Sequence, residues 1–294
     1  MSTQDIALPM VQTATPNRWQ IWRSQLRTIV RLELKKNFFR WRGFWVYLLA
    51  FGPAVIIGAH SIASMYEAAR GGHGHSLDKD TEIMAGIFQI FYLRLGIFFG
   101  CMGIFSRLFR GDVIEKSLHY YFLAPVRREL LALGKYLAGA VASIFFFGMG
   151  VLTSFVLMYI HYGQEGKAFV LGPGLSQLGA YLGVTALACI GYGALFLLMG
   201  LVFRNPIIPS VVILLWEGIN NVLPSVLKKF SVVFYLEPLC PVEVPATGLA
   251  ALFTVSADPL PTWLAVPGLL VVAALILAYA CVRVRRVEIS YSTD

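Results

Sequence analysis

Apolar residues arrive in this chain in long blocks separated by short polar stretches, and block length decides what they build. A helix of about 20 apolar residues crosses a bilayer core of about 30 Å. Soluble core helices are shorter and keep a polar face. Six blocks meet the longer standard, at roughly 44–65, 86–109, 135–160, 175–203, 207–227 and 262–282. Gly52 and Pro53 predict a kink in the first, which membrane helices tolerate. Asn205-Pro206 makes a tight break between the fourth and fifth. The predicted class is therefore all-α, a polytopic membrane protein with six transmembrane helices forming one domain over 44–282.

The segments between the blocks read differently. Residues 1–17 read as a disordered tail. Residues 18–42 predict an amphipathic helix, with Trp19, Trp22, Leu26, Ile29 and Val30 on one side and Arg23, Arg27, Arg31 and Lys35 on another. Aromatic anchors opposite a basic stripe suit a helix lying in the membrane interface. Glu33 interrupts the apolar side and is expected to pair with a basic neighbour. Residues 66–85 read as a polar loop, and a Gly-rich loop follows around Gly163–Gly174. Residues 110–134 form a mixed connecting segment. Residues 228–261, with prolines at 238, 241, 245, 259 and 261, read as an irregular segment on the opposite side. Residues 283–294 are a short tail.

Composition agrees with this pattern: 57% of the 294 residues are hydrophobic and 14% charged, with a mean hydropathy of +0.70. Soluble domains carry about 25% charged residues. The net charge is +8, yet the basic residues flank the spans, which argues for a membrane surface and against nucleic acid. One side of the predicted topology collects 18 Lys and Arg and the other 5, with Arg94 inside a span. The positive-inside rule then puts both termini in the cytoplasm. The four cysteines include no CxxC pair, and no cleavable leader is visible at the N-terminus.

Candidate chemistry is sparse. There is no GxxxxGK[ST] phosphate loop, Gly134-Lys135-Tyr136 being the nearest approach, and no HExxH or Ser/His/Asp set. No catalytic residue and no metal site is predicted; His73 and His75 are two ligands on one loop, too few for a closed site. Charges at membrane depth cost about 2.5–3.5 kcal/mol on the insertion scale. Arg94 in the second span and Glu217 in the fifth, the latter beside Asn220 and Asn221, are therefore expected either to pair or to line a polar path. In the fourth span Gly179 and Gly183 form a small-xxx-small pair suited to close packing.

The most distinctive stretch lies between the second and third spans: Gly111-Asp112-Val113-Ile114-Glu115-Lys116-Ser117-Leu118, then Tyr121-Phe122-Leu123-Ala124-Pro125-Val126-Arg127-Arg128, then Gly134-Lys135. It resembles the membrane subunit of ATP-binding cassette (ABC) transporters of the type-2 exporter class. There, a Glu-containing helix is followed by a Leu-x-x-Pro-x-x-Arg pattern and a Lys opening the third span. Glu115, Leu118, Leu123, Pro125, Arg127 or Arg128, and Lys135 match, with one residue rather than two between Leu123 and Pro125; Tyr121 or Phe122 can take the Leu place. The layout of interfacial helix, six spans and long external segment is similar too.

The resemblance implies a permease subunit of an exporter in a bacterial inner membrane. It would form a dimer with a second copy of itself and dock a separate ABC ATPase that binds ATP and Mg, this chain itself binding no cofactor. Coupling would pass through Glu115, Lys116, Leu118, Tyr120, Tyr121, Phe122, Pro125, Arg127 and Arg128. The alternative class is an ATP-independent secondary transporter or a membrane assembly protein, although no inverted repeat relates residues 44–160 to 175–282.

Overall fold

The structure, a computed structural model, describes residues 17–38, 44–70, 76–114, 123, 126–203, 205–219, 224–242 and 260–286. All regular structure among them is helical: α1 Arg18–Phe38, α2 Phe44–Ala69, α3 Leu77–Gly86, a π-helical segment Ile87–Gly96, α4 Ile97–Ile114, α5 Arg128–Tyr159, a 3₁₀ turn Ile160–Tyr162, α6 Gln164–Leu171, α7 Pro173–Val202, α8 Ile207–Gly218, α9 Ser225–Lys228, α10 Val232–Leu236, a 3₁₀ turn Glu237–Leu239 and α11 Thr262–Arg285.

Five helical stretches are long and apolar enough to cross a membrane: Phe44–Glu67, Leu77–Asp112, Arg128–Tyr162, Pro173–Val202 and Thr262–Arg285. Three boundaries depart from the pattern read in the sequence, the third stretch opening at Arg128 rather than at 135. The second stretch begins at Leu77, so the acidic run once read as loop is helical, with Asp78 and Asp80 in the first turn where the free N–H groups favour negative charge. The fifth predicted span, 207–227, is the 12-residue helix α8, about 18 Å long at 1.5 Å per residue. That falls short of a bilayer core; the helix stops at Gly218, and Pro224 begins a new segment. The Gly-rich loop also contains a helix, α6, entered through Gly163 with φ of 59°.

α5 is the centre of the bundle, in contact with α1, α2, α4, α7 and α11. Phe105 of α4 wedges between Gly139 of α5 and Gly193 of α7; a Cβ at either glycine would come within 2.7 Å of the ring at Gly139 and 2.5 Å at Gly193. α2 and α5 meet backbone to backbone at Gly150, where a Cβ would lie 2.0 Å from the Ala50 carbonyl oxygen. Tyr92 locks the same crossing by donating to that carbonyl at 3.0 Å and meeting Ser154 Oγ at 2.8 Å. Gly179 and Gly183, expected to pack, have open space beside them; helix packing on α7 runs instead through Gly191, Gly193 and Gly200. The small-xxx-small pair does not mark the packed face, because the apolar pattern of α7 does not reveal which of its faces turns inward.

Candidate functional site

The largest buried ionic group among the described residues lies at the α1 end of the bundle. Lys135, in the second turn of α5, has no solvent exposure. Its ammonium donates to Glu33 of α1 and, at 2.6 Å, to Asp112 of α4. Asp112 also accepts from Lys36, one turn along α1 from Glu33. The Lys135 ammonium also sits 5.6 Å from the centre of the Phe109 ring. Four formal charges that sum to zero are thus held where three helices meet. A buried charge is tolerated only when it is paired and hydrogen-bonded, and each of these three buried residues has such a partner. Apolar packing adds to the seat: a Cβ at Gly134 would lie 2.6 Å from Ile29 Cγ2, so the Ile29 side chain of α1 rests directly on the α5 backbone.

The same end ties down the entry to α5. The Arg127 guanidinium lies 4.7 Å over the Trp22 ring of α1. Arg128 donates to the Arg285 carbonyl at 2.9 Å, satisfying one of the last carbonyls of α11, and Arg285 pairs with Glu129. Of the residues assigned to coupling, Arg127 and Arg128 therefore sit on α1 and α11. Glu115, Lys116, Leu118, Tyr120, Tyr121, Phe122 and Pro125 lie outside the described residues, as do Asn220, Asn221, His73 and His75. The Glu33 pairing was foreseen in kind; Asp112 and Lys36 as members of the cluster were not.

A second polar assembly lies deeper in the bundle. Arg94 pairs with Glu237 at 2.7 Å rather than with Glu217. Glu217, 5% exposed, instead accepts from Ser231 Oγ at 2.6 Å and from the backbone N–H groups of Val232 at 2.8 Å and Val233 at 3.2 Å. These are the first residues of α10, whose N–H groups have no partner inside the helix. One carboxylate from α8 thus closes the start of α10, and one guanidinium holds the 3₁₀ turn at its end. Gln89 donates to the Val242 carbonyl at 2.8 Å. Gln89 and Arg94 both belong to the π-helical segment, a conformation that concentrates at functional sites.

A third cluster occupies the opposite end. Asp80, with no exposure, faces His161 at 3.3 Å and His60 at 3.5 Å and accepts from the Tyr162 hydroxyl at 3.2 Å. The sequence offered no signal for it, because the three elements are far apart in the chain. Among the described residues no group of three or more His, Cys, Asp or Glu forms a metal site.

Together, the apolar stretches and the polar groups buried among them define a helical bundle consistent with a multi-pass membrane protein. No protein-family model matches the chain, and no curated protein matches it either.

Proposed function

We propose that this chain is the permease subunit of an ABC exporter, coupled through the segment between α4 and α5 to a separate ATPase chain. The observation that carries the reading is the Glu33–Lys135–Asp112–Lys36 cluster. It seats α1 against the two helix ends from which the resemblance-bearing segment departs and to which it returns. A push on that segment acts on Asp112, Arg127 and Arg128, and through them on α4, α5, α1 and α11. Coupling needs such a connection, since packed networks with fixed partners transmit displacement.

In this reading α8 and the segment after it complete a sixth, interrupted crossing. α1 lies in the inner interface, both termini are cytoplasmic, and the unit is a homodimer in a bacterial inner membrane with ATP and Mg on the partner. Arg94 and Glu217 flank a path for an amphipathic cargo. The test is a double substitution, Tyr121→Ala with Glu115→Arg. The folded permease should lose its ATPase in a pull-down and lose transport. Undiminished copurification and transport would sink the reading and favour an ATP-independent transporter.

A further inference from the structure

Four side chains on α7 carry buried polar atoms that have no hydrogen-bond partner among the described residues: Gln177 Oε1, the Tyr181 hydroxyl, Thr185 Oγ1 and the Tyr192 hydroxyl. At 100° per residue they fall within a narrow arc of one helix face. That face is turned into the protein, since Tyr181 is 1% exposed and Thr185 and Tyr192 not at all. Isolated lapses of this kind are rare in folded proteins, and each asks for an explanation. Four in a row, over about 22 Å of helix at 1.5 Å per residue, ask for a common one. Helix geometry offers Thr185 an easy escape, its hydroxyl bonding to the carbonyl one turn back, and that bond is not made.

The two ends of the row are informative. Gln177 lies near the start of α7, at the end of the bundle that carries α6. Tyr192 follows Gly191, where a Cβ would lie 3.1 Å from Val232, one of the residues whose N–H groups donate to Glu217. The walls between are aromatic: Phe88 stands 4.5 Å from the Tyr181 ring and Phe98 5.4 Å from that of Tyr192, centre to centre. Neither these rings nor a lipid tail can satisfy a hydroxyl. A small molecule that both donates and accepts can serve all four groups, and water is the one always at hand.

We propose that α7 carries a binding file for ordered water, running from Gln177 past Tyr181 and Thr185 to Tyr192, beside the segment that Glu217 clasps. Water at that end also serves Arg94, which of the three charges is the one within a long apolar stretch, since intramembrane ionisable groups face a wet cavity or one another. The inference does not depend on the transporter reading, because it uses only the orphaned atoms and the residues beside them.

The test uses the full chain in detergent. Hydroxyl radicals generated in solution oxidise buried tyrosines only where water sits beside them. Tyr92 is the dry control, fully buried with its hydroxyl bonded to Ala50 and Ser154. Tyr181 and Tyr192 should oxidise at least about tenfold faster than Tyr92, as bound water requires. Oxidation of both at the Tyr92 rate overturns the file. In parallel, Tyr192→Phe and Thr185→Val should each lower Tm by about 2 °C or more, because a watered hydroxyl stabilises the fold. A raised Tm in both variants marks dry, unpaired hydroxyls and also overturns the proposal.

Discussion

Lys135 Nζ lies 2.6 Å from an Asp112 carboxylate oxygen, and these two residues bracket the stretch of chain that leaves α4 and comes back as α5. Glu33 completes the contact from α1, so one ammonium fixes three helices at once. Replacing a buried ion pair by apolar groups of like volume is often harmless, whereas removing one partner is not.

Lys135→Met should therefore be severe, with a loss of about 3–5 kcal/mol, because buried Glu33 would lose its ammonium and Asp112 would be left with Lys36. Lys36→Met should be much milder, since that side chain is 32% exposed and water already shares its charge. Thermal melts in detergent compare the two directly. Equal losses would show that the cluster is not organised around Lys135.

Arg94 and Glu237 form a testable couple. Both are about one-third exposed, so a double-mutant cycle of Arg94→Gln and Glu237→Gln should give a coupling of about 0.2–1 kcal/mol. The same cycle with Glu217→Gln in place of Glu237→Gln should give a smaller one. A larger coupling to Glu217 would contradict the observed pairing.

Glu217→Ala should loosen α10 specifically, since it strips the partner from Ser231 and from two backbone N–H groups. Charge-assisted hydrogen bonds contribute about 1.5–3 kcal/mol each, net of the water they replace. Glu217→Gln keeps one acceptor oxygen and should recover part of the loss. Hydrogen exchange over residues 224–242 reads the effect; protection at wild-type level in the Ala variant would refute the clasp.

Asp80→Leu should destabilise the opposite end by about 1–3 kcal/mol, because His60, His161 and the Tyr162 hydroxyl all turn toward that carboxylate. Asp78→Leu, two residues away in the same first turn but outside that cluster, should change Tm little. Comparable losses at both positions would mean that only the helix N-terminus matters.

The apolar blocks were legible because hydrocarbon imposes length, and the cores of five long stretches were located from that alone. What the blocks hid was polar helix. Leu77–Gly86 carries Asp78, Lys79, Asp80 and Glu82, which hydropathy reads as loop, yet Asp80 is buried by partners from α2 and the turn after α5. The need for partners was legible too, since Glu33 and Arg94 each stood out as a charge in an apolar setting. Their partners were not. Lys135 is 102 residues from Glu33, and Glu237 is 143 from Arg94 within a proline-rich stretch that looked irregular. Expected length was too short for the second and third stretches, which continue into polar helix, and too long for α8, where Gly218 ends the helix before a crossing is complete.

Chain order gives the Lys135 cluster a direction in time. Glu33, Lys36 and Asp112 all precede Lys135, so both acceptors are already synthesised when the third long helix leaves the ribosome. Chains emerge at about 5–20 residues per second and fold from the N-terminal side. α5 therefore enters the bilayer with its lysine able to meet a carboxylate at once, and α1 acts as a pre-placed counter-ion for a helix made seconds later.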